Sequence, residues 1–373
     1  MKIHLHTPSF FPRLVGMTYA THVHAELLSA LGADVTVVAP SDPDASSDNL
    51  GYAVRRFDVA GSGLPWNPVR GDINALMAWT ASERPDVVIA EGWFTTGASL
   101  LRKLKPHTRH LVLSSHGSAD LSVERRTPSH IGRAMLYRWN EATHSRAVTS
   151  VLSAAIVLSA FEDRDRFQDV RRFRQHGIPM FVCPNSSTYM VAEKQGFDVG
   201  KVGIIHVGEM KPHKNQVQAV NTLAALPRNF GLTLIYPGAT DYLTEVLGLA
   251  DKLKVRDRLT LVEGKNRAAL EPTFAAADLL LITSHSKEAQ PIVAVDAMAK
   301  GLPFVSTKVG CMPEFEGGLI APAEELASAV QTICQSGETY MHFSKAATHY
   351  SRERLSRDRA LHSIQSLLDH LRA

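Results

Sequence analysis

The chain has 373 residues, 45% of them hydrophobic and 21% charged, enough for two globular domains of ordinary size. Its net charge of +3 falls well short of a dedicated nucleic-acid binder, although it leaves room for weak contact with an anionic membrane or DNA. Three cysteines, Cys183, Cys311 and Cys334, lack metal-ligand spacing and fit a reducing compartment. No run of about 18 apolar residues predicts a membrane span. Met1-Lys2-Ile3-His4-Leu5 enters a strand without the apolar core of a secretory leader. The expected location is therefore cytoplasmic, with the inner membrane face as an alternative peripheral site.

Apolar runs predict strands at residues 2–5, 34–38, 54–57, 87–90, 111–114 and 156–158. Helices are predicted between them, from about Thr18 to Gly32 and over 74–82 and 131–149. Such alternation implies a parallel sheet with right-handed crossovers. No G-x-G-x-x-G fingerprint accompanies it, so a dinucleotide cofactor is not indicated. After Pro184-Asn185-Ser186 a polar stretch runs to Gly200, and the alternation restarts. Further strands are expected at 203–207, 232–236, 259–262, 279–282 and 304–306, with helices starting near Lys214, Tyr242, Arg267 and Pro291. Residues 351–371 read as one charged amphipathic helix.

Residues 283–303 carry the strongest chemical signal. Strand 279–282 runs into a polar turn, a helix opens at Pro291-Ile292-Val293, and Gly301 and Pro303 stop it before the next strand. Glu288 thus falls at the carboxyl edge of the sheet, where open α/β folds bind ligands. The amides of Pro291-Ile292-Val293 sit at a helix start suited to phosphate. Asp296 follows Glu288 by eight positions, about two helical turns, so each acid can reach a different part of one bound molecule. After strand 203–207, Gly208 permits a tight turn and Lys214 lies near a helix start, where a cation and free amides can hold a diphosphate.

An acid, a Pro-aliphatic pair, Asp296-Ala297 and then Gly-x-Pro before a strand resemble the E-x7-E signature of retaining GT-B glycosyltransferases. The glycogen synthase-like, family 4-like group, which builds bacterial polysaccharides and glycolipids, is the nearest in pattern. The resemblance implies two Rossmann-like parallel-sheet domains facing a central cleft. Their expected limits are 1–186 for the acceptor domain and 187–351 for the donor domain, with a terminal helix at 352–373 returning to the first. It also implies a UDP- or GDP-sugar as co-substrate, no required cofactor or metal, and a glycan, lipid-linked or other hydroxyl acceptor.

Carried over residue by residue, the resemblance gives Glu288, Lys214 and His116 catalytic roles. Asp296 would bind the ribose, and Gly208, Gly264, Lys265, Pro291, Ile292 and Val293 would line the donor pocket. The family's G-R-x4-K motif has Glu209 in place of Arg here, and Lys211 is the candidate substitute. Gly16 occupies the position of the family's glycine-rich loop, and Gly117 follows His116 on the other expected first-domain loop.

Other readings have less support. Asp42-Pro43-Asp44 has D-x-D spacing but lies in a turn-rich loop. His22 and His24, two apart on a helix, do not share a face, and His4 and His6 suit satisfied structural positions. The basic run 164–174 contains Asp165 and Asp169 and reads as a solvated helix face. A phage-type transferase acting on DNA bases, and a non-catalytic sugar-nucleotide binding protein, are the rival functions.

Overall fold

The computed structural model describes residues 1–13, 15–45, 50–64, 66–117, 128–159, 168–264, 267–285 and 288–373. The chain divides into two compact units, one of Met1–Pro184 with Ala360–Ala373 and one of Asn185–Arg359.

In the first unit the strands are β1 (Lys2–His6), β2 (Asp34–Pro40), β3 (Ala53–Phe57), β4 (Val59–Ala60), β5 (Arg70–Gly71), β6 (Val87–Glu91), β7 (His110–Ser115), β8 (Ala154–Val157) and β9 (Met180–Val182). Seven of them form one sheet in the order β3-β2-β1-β6-β7-β8-β9, parallel throughout. The small pair β4–β5 is antiparallel and separate. Every residue of β6 and of β8 is buried, as a parallel sheet covered on both faces requires. From β1 the chain winds outward through β2 and β3, then returns to β6 on the other side of β1. That reversal makes the carboxyl ends of β1 and β6 the switch point of the sheet.

The second unit holds β10 (Val202–Val207), β11 (Phe230–Tyr236), β12 (Leu259–Glu263), β13 (Leu279–Ile282), β14 (Phe304–Ser306) and β15 (Gly318–Ile320). Their order is β12-β11-β10-β13-β14-β15, again all parallel. Here the reversal falls between β10 and β13, which pair at Ile204 with Leu279 and Ile205 with Leu280. The loops of Lys214 and Glu288 leave these two neighbouring strands at their carboxyl ends.

Several boundaries differ from the sequence reading for local reasons. The first helix is Gly16–Ala30, so Gly16 is its first residue rather than part of a preceding loop. The helix expected near Lys214 is Gln216–Ala225; Lys214 itself ends the 3-10 turn Pro212–Lys214, and Asn215 in the left-handed region (φ 56°) separates the two. The C-terminal segment is two helices, Gly337–Arg354 and Arg357–Arg372. They part at Ser356, whose hydroxyl accepts the Arg359 N–H at 3.2 Å and thereby caps the second helix. That last helix buries Ala360, Ile364, Leu367, Leu368 and Leu371 in the core of the first unit beside Leu27, Leu28 and Val35. Each fully buried leucine or isoleucine contributes on the order of 1.5–3 kcal/mol. Among the described residues no helix is long and apolar enough to cross a membrane.

Candidate active site

In the second unit the site is assembled across the switch point. Beyond β10, Gly208 has no side chain to collide with Lys214: a Cβ there would lie 3.3 Å from the lysine Cδ. The lysine crosses this gap, and its Nζ donates to Glu288 Oε1 at 2.5 Å. Ser284 Oγ donates to the same carboxylate oxygen at 2.8 Å. Lys214 keeps 20% of its side chain exposed and Glu288 9%, so the pair lies at the surface edge of a packed loop.

Two features hold the lysine's backbone. Thr283, at the end of β13 and fully buried, directs its hydroxyl at the carbonyls of Lys214 (2.9 Å) and Asn215 (2.8 Å). His206 Nε2 is 3.0 Å from that hydroxyl. Burial, aided by the charge of Lys214, lowers the His206 pKa to about 4. The ring is therefore neutral at physiological pH and can donate Nε2–H to the threonine oxygen. The Glu288 loop is held from the opposite side by β14 and the turn after it. Thr307 Oγ1 donates to the Ser284 carbonyl, and Cys311 N–H donates to the Ala289 carbonyl at 2.7 Å. Gly310, at φ +46°, packs directly on this loop: a Cβ would lie 2.0 Å from the Ala289 oxygen and 3.0 Å from that of Glu288.

The helix that follows is Ile292–Ala299, with extended Pro291 as its N-cap and no side chain capping it. Its first amides are thus offered at its positive end. Asp296, expected to bind the ribose, keeps 3% of its side chain exposed. Arg267 grips it through both oxygens, with Nε to Oδ2 at 2.7 Å and Nη2 to Oδ1, and Ser187 Oγ donates to Oδ1 at 2.7 Å. One methylene shorter than glutamate, the side chain ends within reach of these neighbours. Lys211, read as the substitute phosphate ligand, is half exposed and pairs with Glu209 at 2.9 Å. Gly264 packs against Leu270, whose Cδ2 a Cβ would approach to 2.7 Å. Lys265 lies outside the described residues.

The first unit contains a second polar cluster. Glu91 closes β6 at the switch point and is fully buried. Each of its oxygens meets one histidine: Oε1 lies 2.8 Å from His24 Nδ1 and Oε2 lies 2.5 Å from His116 Nε2. Cys183 Sγ is 3.8 Å from the other nitrogen of His24. Burial works against both charges, but the partners prevail. Glu91 is held well below the usual carboxylate range by the two histidines, and His24 is raised well above its ordinary value by Glu91 and Cys183. His116 follows β7, and Gly117 (φ +82°) turns the chain beyond it with its N–H donating to Ser115 Oγ at 3.3 Å. Gly16 opens its helix after extended Val15, again with no side-chain cap.

The sequence reading did not single out Glu91, Thr283, His206 or Arg267, and it set His24 aside. Glu91 had one visible signal, a lone acid ending an apolar strand just before Gly92. His4 and His6 are core residues, with both ring nitrogens of His4 and Nε2 of His6 lacking a hydrogen-bond partner among the described residues. His4 stacks on Trp79 at 4.4 Å, and burial lowers its pKa to about 4. Asp42 of the D-x-D sequence is paired with Arg13 at 2.7 Å.

The family model described as Glycosyl transferases group 1 matches residues 191–350. The one described as Glycosyltransferase Family 4 matches residues 16–208, more than half of the chain. D-inositol 3-phosphate glycosyltransferase of Mycolicibacterium smegmatis is 26% identical over 238 residues, 61% of this chain and 52% of that protein. Curated relatives of this name are matched over about a quarter to a half of their length. Sucrose-phosphate synthase from Thermosynechococcus elongatus superposes with TM-score 0.76 at 17% identity, covering 99% of this chain and 98% of the other. Anabaena HepE in complex with UDP gives 0.70 at 19% identity, covering 99% and 100%. With two Rossmann-like parallel sheets and these matches, the chain has the GT-B fold and belongs to glycosyltransferase family 4.

Proposed function

We propose that the chain is a retaining glycosyltransferase, moving a sugar from a UDP- or GDP-linked donor to a hydroxyl of a glycan, polysaccharide or lipid-linked acceptor. The observation that carries this reading is the Lys214–Glu288 pair on the loops that leave the two strands flanking the switch point of the second unit. The UDP and UDP-glucose complexes of the similarly folded Anabaena HepE support the choice of donor class.

The second unit takes the donor. Its diphosphate displaces Glu288 from the Lys214 ammonium and lies against the Ile292 and Val293 amides at the helix start. Gly208 and Gly264, which lack side chains, let the donor approach the backbone. Negative charge grows on the diphosphate as the bond from the anomeric carbon to its oxygen breaks. A preorganised cation and fixed amide dipoles stabilise that charge most strongly at the transition state. Glu288, released from the lysine, meets the sugar hydroxyls and the positive charge spreading over the ring. The acceptor oxygen bonds the anomeric carbon on the face the diphosphate leaves, and the acceptor proton passes to a departing phosphate oxygen. No step requires a metal or a protein nucleophile. Asp296 reaches the ribose only by sharing oxygens already bound to Arg267 and Ser187. In the first unit His116 contacts the transferred sugar or the acceptor, with Gly16 and Gly117 shaping the loops beside it.

A panel of UDP- and GDP-hexoses tests the reading by thermal shift and by release of free nucleotide with and without added glycan acceptors. One donor is expected to raise the melting temperature. Glu288→Ala should keep that shift and lose transfer. Wild-type protein that binds no nucleotide sugar, or a Glu288→Ala variant with full transfer, would overturn it.

A further inference from the structure

The buried cluster in the first unit goes beyond that assignment while resting on its placement of His116 at the sugar or acceptor. A fully buried carboxylate with a separate histidine on each oxygen is costly unless both bonds are kept, because either oxygen left bare would be a desolvated charge. His24 is itself buried and can balance the charge of Glu91, since its Nδ1 faces Oε1 and its far nitrogen lies 3.8 Å from the Cys183 sulfur. The second oxygen is therefore spent on direction. An ionised carboxylate only accepts hydrogen bonds, so His116 must carry a proton on Nε2 to satisfy Oε2. Nδ1 is the ring nitrogen left for any other partner.

We propose that Glu91 is a positioning residue that fixes the His116 proton on Nε2 and so presents Nδ1 as the hydrogen-bond acceptor for a hydroxyl of the sugar or acceptor during transfer. His24 completes the device by matching the carboxylate's charge. No bond to carbon is made or broken by these three side chains; the cluster sets which atom of His116 meets the hydroxyl. His116 directly follows β7, so its backbone starts from a fixed strand end.

The test is nitrogen NMR of the full chain labelled at histidine, run beside steady-state kinetics with the UDP- or GDP-hexose selected by the panel. In the wild type at pH 8, His116 should show a protonated Nε2 and a bare Nδ1. In Glu91→Gln, whose amide can accept from only one of the two histidines, that preference should weaken. Its kcat should fall about tenfold or more with the donor KM within about twofold. A wild-type His116 protonated on Nδ1 overturns the proposal whether or not the variant folds. So does a Glu91→Gln enzyme that melts earlier but keeps both the tautomer and kcat, because that outcome describes a purely structural residue. Failure of the wild type to bind any nucleotide sugar removes the broader reading and this one with it, whereas an active enzyme with the other tautomer removes only this one.

Discussion

Gly310→Ala places one methyl group against the loop that carries Glu288. The new Cβ would stand 2.0 Å from the Ala289 carbonyl oxygen, 2.7 Å from its carbon and 3.0 Å from the Glu288 oxygen. All three atoms are backbone, so no side chain can rotate away. Reaching ordinary contact at 3.4 Å requires a relative movement of about 1.4 Å. A left-handed φ costs a residue with a Cβ about 1–2 kcal/mol, and weakening the Cys311 N–H bond to Ala289 adds about 1 kcal/mol. A loss of about 2–3 kcal/mol corresponds to roughly 4–12 °C in melting temperature for a unit of this size. The larger effect falls on transfer. Displacing the Glu288 loop by about 1 Å should lower kcat about a hundredfold. Sugar transfer and a thermal melt on the same sample are the assays. An alanine variant with wild-type rate and melting temperature would refute the claim that this contact positions Glu288.

Thr283→Val keeps the volume of the side chain but removes the hydroxyl serving the Lys214 and Asn215 carbonyls. It should cost about 1–3 kcal/mol and raise the donor KM several-fold, measured by urea unfolding and initial rates. Arg267→Met leaves the Asp296 carboxylate buried without its main partner and should cost about 3–5 kcal/mol. Adding Asp296→Asn should recover part of that loss, and strict additivity of the two changes would contradict a coupled pair. The Glu91–His24 pair should give a defined pH profile of stability. Glu91 is lowered from 4.5, so its contribution is complete above that value and is lost as pH falls through the depressed folded value. His24 is raised from 6.5, so its contribution is complete below that value and is lost as pH rises through the elevated folded value. The stability gap between wild type and Glu91→Gln should therefore be widest and flat between about pH 4.5 and 6.5; a gap that widens steadily with acid would contradict the assignment.

The architecture was legible because parallel strands buried on both faces leave continuous apolar runs, and the turns between them carry glycine and proline. The Glu288 loop and Lys214 were legible for a related reason: each lies close in sequence to a strand end, so its place in the sheet follows from counting. Contacts across long stretches of chain were not. Glu91 meets partners 67 positions before it and 25 after it, and nothing local in β6 announces either histidine. The Asp296–Arg267 pair spans 29 positions in the same way. Lys211, expected to face a phosphate, has the acid two residues away as its partner here, a local contact that its sequence context did not suggest. The strands missed by the reading, β4, β5, β9 and β15, are two or three residues each, too short to show a period.

The last helix gives the two units different histories on the ribosome. Unit two is one uninterrupted stretch, 185–359, and all of its core has been synthesised before the final helix begins to emerge. Unit one starts first but finishes last, because Ile364, Leu367, Leu368 and Leu371 supply part of its interior. Until they arrive, part of the apolar surface around Ile3, Leu5, Leu27 and Leu28 stays uncovered, which makes the nascent unit prone to aggregate.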